Sequence, residues 1–208
     1  MVFLRFSGEI FIVFGFICYI GVRVIILVLK QKQKKSLIWL KELIKFLFVL
    51  YILMVVSVTL FPLYIGLPQE EFSYRVINYV PLISIFRDIS QVGIAYSGDT
   101  LFMINLIVRN VGGNILMLMP LGFLMPLLWK KFKRLKNMIM MGLCISLSIE
   151  SLQFVECLLG IVIARAVDID DVFCNVLGTF LGYSIYKLTI LLLGKRNKAS
   201  KISSSINI

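Results

Sequence analysis

Five long apolar runs organise the chain, at residues 9–29, 43–65, 111–129, 138–159 and 172–193. Each is close to the roughly 20 residues an α-helix needs to cross a hydrocarbon core, so the pattern predicts five transmembrane helices. A sixth apolar stretch, VINYVPLISIF at 76–86, is too short to span and is broken by Pro81. Inside the long connection 66–110 it reads as a re-entrant or interfacial segment. The expected fold class is thus an all-α integral membrane protein of five transmembrane helices, with that segment in its long outer loop. Three regions are expected: a two-helix N-terminal part at 1–77, a second unit at 78–193, and a basic tail at 194–208, frayed from 197 onward. The first run is read as a retained span and not a signal peptide. It is long, has no small-residue cleavage site, and its positive cluster follows it.

Composition agrees with the pattern. The 208 residues are 60% hydrophobic and 16% charged, with a mean hydropathy of +0.96, whereas soluble domains run about 45–50% apolar and about 25% charged. The net charge of +11 sharpens the picture because of where it sits. Lysines 30, 32, 34, 35, 41 and 45 lie around the first connection; Lys130, Lys131, Lys133, Arg134 and Lys136 fill the third; Lys195, Arg196, Lys198 and Lys201 follow the last span. The other connections hold Arg75, Arg87 and Arg109, then Arg165 alone. The positive-inside rule makes the three basic segments cytoplasmic, so the N-terminus is expected outside and the C-terminus inside. The clusters flank spans and form no groove, so no nucleic-acid partner is expected. Arg23 and Lys187, within spans, are expected to reach the inner boundary along their own side chains.

Histidine is absent, which removes imidazole bases, Ser-His triads and His-ligated zinc. The cysteines (Cys18, Cys144, Cys157, Cys174) form no CxxC pair and read as small buried hydrophobes.

Polar groups inside the spans carry the candidate chemistry, because ionisable side chains there are costly and rare. Ser146, Glu150, Gln153 and Cys157 form one stripe of the fourth span, and Asp171, Asn175, Gly178 and Gly182 form one stripe of the fifth. These two stripes are expected to face each other. Glu150 falls about 15 Å below the outer end of its helix, and Asn175 about 6 Å below the start of its own. Asn110 and Asn114 enter on the third span, and the connection 161–171 adds Arg165, Asp168 and Asp170. Arg165 is the expected partner of Glu150. Gly178 and Gly182 read first as a close-packing pair, while Gln153, Asn114 and Asn175 serve equally as interhelical hydrogen-bond glue or as ligand contacts. Pro120 and Pro126 are expected to kink the third span. The carboxylates suit Mg²⁺, Mn²⁺ or Ca²⁺, yet the Asp168–Asp171 run lacks the glycine and spacing of an EF-hand. No metal and no cofactor is therefore expected.

Taken in order, these residues resemble the VanZ-like family: NILMLMPLGF from Asn114, SIESLQ from Ser148, and RAVDIDDVFCNVLGTFLGY from Arg165 to Tyr183. Upstream, Asn78-Tyr-Val-Pro81 resembles that family's outer-loop Asn-x-x-Pro element. The resemblance covers residues 78–183, so the 78–193 unit is read as a VanZ-like domain. Ala164 stands where a glycine commonly precedes the arginine, and Val167 where an aromatic commonly precedes the first aspartate.

The resemblance implies a bacterial cytoplasmic-membrane protein whose family's founding member is associated with resistance to teicoplanin and related lipoglycopeptides. The leading expectation is an outer-leaflet polar pocket that engages a membrane lipid, a cell-wall precursor or the lipoglycopeptide's lipid tail. Asn78, Asn114, Glu150, Gln153, Arg165, Asp168, Asp170, Asp171 and Asn175 are the candidate ligand-binding residues. The alternative is an intramembrane enzyme acting on a lipid-linked envelope substrate, with Glu150 and Asp171 as its catalytic carboxylates. Oligomeric state is open.

Overall fold

A computed structural model describes residues 4–32, 39–66, 78–162 and 167–206. Among them, five helices are long and apolar enough to cross a membrane: Gly8–Leu29, Trp39–Leu60, Thr100–Leu128, Leu135–Leu158 and Ile169–Gly194. The five expected spans are all present, with shifted ends.

Helix α1 (Gly8–Lys32) and helix α2 (Trp39–Leu60) form an antiparallel pair. Glu9 sits in the first turn of α1, where a carboxylate complements the helix dipole. α2 starts earlier than its apolar run because its first turns carry Glu42, which forms an ion pair with Arg23 of α1 and lies 3.3 Å from Lys45 Nζ. Arg23 is thus neutralised between the helices and does not simply snorkel. α2 stops at Leu60, five residues before the expected end, because Pro62 cannot donate to a helix. The chain then turns extended, and strand β1 (Leu4–Phe6) pairs antiparallel with strand β2 (Leu63–Ile65), Arg5 opposite Tyr64.

Helix α3 (Ile83–Ser90) and helix α4 (Thr100–Ile107) follow. The side chain of Asp99 accepts from Phe102 N at 2.9 Å and starts α4. A five-residue π-turn, Val108–Gly112, joins α4 to helix α5 (Gly113–Leu128) without a break. The third span therefore begins eleven residues before the expected position, and the Gly112-Gly113 pair does not end it. Helix α6 (Leu135–Leu158) and helix α7 (Ile169–Ile206) complete the bundle. α7 extends to Ile206, and no proline or second glycine follows Gly194 to stop it.

The centre of the fold is the contact of α5 with α7. A Cβ at Gly178 would collide with the carbonyl oxygen of Ile115, and one at Gly182 with that of Met119; across the same seam, one at Gly122 would collide with Thr179 O. Backbone lies on backbone, the arrangement small residues allow between membrane helices. Gly178 and Gly182 are therefore a packing device, but they face α5. Between the α6 and α7 stripes, expected to face each other, the described side-chain hydrogen bonds include Asn175 to Ser146. Around the seam lie Val55, Leu118, Leu121, Met138, Ile149 and Tyr183, all buried.

α1 stands at the edge, and none of its residues from Gly8 to Leu29 is buried. Of the cysteines only Cys174 is buried; Cys157 is half-buried and Cys18 and Cys144 face outward. Their expected burial in a protein core fails for the exposed pair because in a membrane bundle an apolar side chain is as well placed against lipid as inside.

Candidate functional site

The polar chemistry gathers where α6 finishes and α7 begins, here termed the upper end. The amide of Asp168 donates to Glu150 Oε2 at 3.2 Å, and Glu150 lies eight residues before the end of α6 at Leu158. At 1.5 Å per residue, the connection from α6 to α7 descends about 12 Å along α6 before α7 starts. The start of α7 is thus a helix N-terminus set among other helices, the kind of irregular backbone a membrane protein tolerates only against protein or a cavity.

Asp168 caps it. Its Oδ1 accepts from Asp170 N at 2.9 Å and its carbonyl from Asp171 N at 3.1 Å, satisfying first-turn donors that a helix cannot satisfy itself. The segment holding Asn78 is stitched to the same point. Asn78 N donates to Val167 O and Ile169 N to Asn78 O, each at 3.0 Å, forming an isolated parallel bridge with Asp168. The Asn78 amide donates to Asp168 Oδ1 at 2.7 Å, while its own Oδ1 accepts from Val80 N at 3.2 Å in an Asx-turn.

Asp170, 2% exposed, points to α3. Leu82, the residue before α3, has φ 66 and offers no side-chain cap. The Asp170 carboxylate supplies it from α7, accepting from Leu82 N, from Ser84 Oγ and from Ile85 N at 3.4 Å. Asp171 points the other way and accepts from the Asn114 amide on α5. Three consecutive acidic positions of the DIDD motif therefore serve α7, α3 and α5 in turn.

Six of the nine candidate residues meet here: Asn78, Asn114, Glu150, Asp168, Asp170 and Asp171. Gln153 instead crosses to α2, donating to Thr59 O at 3.0 Å. Asn175, fully buried, lies one turn beyond Asp171 on α7 and donates to Ser146 Oγ of α6 at 2.9 Å. Arg165, the expected partner of Glu150, lies outside the described residues. Among the described residues, no three His, Cys, Asp or Glu side chains are placed to share a metal ion.

Sequence reading missed several participants. Ser84 and the backbone of 82–85 escaped because nothing local marks a helix start at Leu82; the missing cap was itself the signal that an outside anion was needed. The stripe on α7 is also longer than expected. Below Asp171 and Asn175 come Thr179, whose hydroxyl donates to Asn175 O at 3.1 Å; Tyr183, whose hydroxyl donates to Lys133 O at 2.8 Å; and Lys187, 5.6 Å from the Tyr183 ring centroid. Glu156, higher on α6, is buried as well. A separate pocket at this end is lined by none of the candidate residues. That pocket, about 170 Å³, lies between β1, the first turn of α1 and the end of α2, where Arg5, Ser7, Glu9, Ser57, Phe61 and Pro62 line it.

The fold and its buried polar junction define a multi-pass α-helical membrane protein. The chain belongs to the VanZ/LLP1 family, whose model matches residues 48–192. The match reaches back from the Asn78 element to take in the Phe48–Leu60 part of α2, where Tyr51 donates to Met117 O and Thr59 receives Gln153. No curated protein and no solved structure matches the chain.

Proposed function

We propose that the junction at the start of α7 is the binding site of a lipid-borne ligand in the outer leaflet of a bacterial cytoplasmic membrane, and that occupancy lowers susceptibility to lipoglycopeptides such as teicoplanin. The supporting observation is the convergence of Glu150, Asp168 and Asp171 on one helix start. Carboxylates held this way accept hydrogen bonds from hydroxyl, amide or ammonium groups of a ligand. Arg165, four residues before α7, is assigned to an anionic head group, where a guanidinium binds phosphate or carboxylate with two parallel hydrogen bonds. The charge distribution supports an outside N-terminus, a cytoplasmic C-terminus and hence a junction on the exterior side. The ligand is an envelope lipid, a lipid-linked wall precursor or the drug's acyl tail.

The test is antibiotic susceptibility in cells expressing Glu150→Gln or Asp171→Asn, with membrane insertion verified for each. Loss of protection against teicoplanin in both variants is expected; parental protection in both overturns the site. A second reading rests on Glu150 and Asp171, both hydrogen-bonded to Asp168: an intramembrane enzyme using these carboxylates on a lipid-linked substrate. It requires the purified protein to change the mass of an envelope lipid in vesicles, and no turnover rejects it.

A further inference from the structure

The pocket at the upper end of the α1–α2 pair is built from opposite charges. Arg5 projects from β1, where its backbone is pinned opposite Tyr64. Glu9 projects from the first turn of α1. Both line one cavity of about 170 Å³, together with the hydroxyl-bearing Ser7 and Ser57. The frame around them is tight: a Cβ at Gly8 would collide with Ser57 Oγ, so the first turn of α1 rests directly on the last turns of α2.

Charge selects the occupant. A simple anion drawn to Arg5 meets Glu9, and a simple cation drawn to Glu9 meets Arg5. A ligand carrying both signs a few bonds apart satisfies both walls at once. Guanidinium matches phosphate with paired hydrogen bonds, and a carboxylate accepts N–H from an ammonium group. The cavity is too small for a drug-sized ligand, for which about 300–1,000 Å³ is usual, and of a size for a head group. Beside it, Ile10, Val13 and Phe14 of α1 and Val58 of α2 face outward, offering apolar surface along which acyl chains lie.

We propose that this pocket binds the zwitterionic phosphate–ammonium head group of a phospholipid of the phosphatidylethanolamine class, with Arg5 on the phosphate and Glu9 on the ammonium. Phosphatidylcholine fits less well because its quaternary nitrogen has no N–H for Glu9, and phosphatidylglycerol because it brings no cation. Arg5, Ser7 and Glu9 precede the part of the chain matched by the family model at 48–192, while Ser57, Phe61 and Pro62 lie within it. The site uses none of the residues proposed for function and stands independently of that reading.

The test is native mass spectrometry of the full-length protein released from vesicles holding equal parts of phosphatidylethanolamine, phosphatidylcholine and phosphatidylglycerol. The parent protein is expected to retain phosphatidylethanolamine about tenfold over phosphatidylcholine, the scale of one charge-assisted hydrogen bond. Glu9→Gln is expected to abolish that preference, and Arg5→Gln to weaken retention of all three lipids. Both residues are exposed, so both variants should keep the parent's melting temperature. Equal retention of the three lipids by the parent, or an unchanged preference in Glu9→Gln, overturns the proposal. Soluble phosphoethanolamine separates a lipid site from a free head-group site. No displacement of the lipid at millimolar concentration is expected, and ready displacement overturns the lipid assignment.

Discussion

Ser84 donates its hydroxyl hydrogen bond to Asp170, 86 residues later in the chain, and through it the first turn of α3 is tied to the first turn of α7. The carboxylate stands in for the cap that Leu82 does not provide, so α3 has a defined start only when α7 is in place. The two helices are expected to be lost together.

Removing that carboxylate tests the coupling. Asp170→Ala leaves the part-buried amides of Leu82 and Ile85 without this acceptor, at the cost of a lost helix cap, about 0.5–2 kcal/mol. The variant should unfold at lower temperature in detergent, and limited proteolysis should open the chain near residues 80–90 first. Ser84→Ala, which removes one of three donors, should cost less than half as much.

The seam between α5 and α7 makes a steric prediction. At Gly182 a Cβ meets the Met119 carbonyl and at Gly178 the Ile115 carbonyl, atoms that cannot rotate away. Gly182→Ala should therefore destabilise by about 1–3 kcal/mol, the usual cost of overpacking, and Gly182→Leu should abolish a monodisperse protein. Gly21→Ala is the control, because nothing lies within 4 Å of its added Cβ. Equal melting temperatures for Gly21→Ala and Gly182→Ala would refute the seam.

Arg23 and Glu42 couple α1 to α2 with side chains 17% and 14% exposed. Glu42→Gln leaves a cation between the helices. The expected loss lies between the roughly 1 kcal/mol of an exposed pair and the roughly 3–5 kcal/mol of a fully buried one. Adding Arg23→Met should restore most of the parent's stability, and a double-mutant cycle on thermal unfolding measures the coupling.

Deeper in the bundle, Asn175 and Ser146 join α7 to α6. Ser146→Ala removes the acceptor of a fully buried amide. Interhelical hydrogen bonds in membranes average about 0.6 kcal/mol and reach about 1.7 kcal/mol, so a loss in that range is expected. A Ser146→Ala/Asn175→Leu double mutant should destabilise less than the two single changes added together.

The spans were readable because a run of about 20 apolar residues has few destinations other than a bilayer, and Glu150 and Asp171 stood out because charges are scarce in such runs. Boundaries were less legible. α4 and α5 merge through a π-turn across Gly112-Gly113, a pair that locally reads as a stop, and α2 ends early where Pro62 frees three residues to pair with β1. Side-chain partners were legible only where residues lay on facing stripes, as with Ser146 and Asn175. The stripe rule failed for Gly178 and Gly182 because it gives the face of a helix but not the neighbour on that face.

The sequence by itself determined a membrane protein of five helices, the asymmetry of charge between its loops, the family motifs and the identity of the costly polar groups. All of these follow from composition and local periodicity, which act on residues close together in the chain. The tertiary structure alone decided what the polar groups hold. Asp168 caps α7, Asp170 caps a helix 86 residues away, Asp171 binds Asn114, and Arg5 and Glu9 come to share a pocket. A buried polar atom must find a partner, but which one depends on how the helices pack, and α5 meets α7 closely only because glycines let their backbones touch.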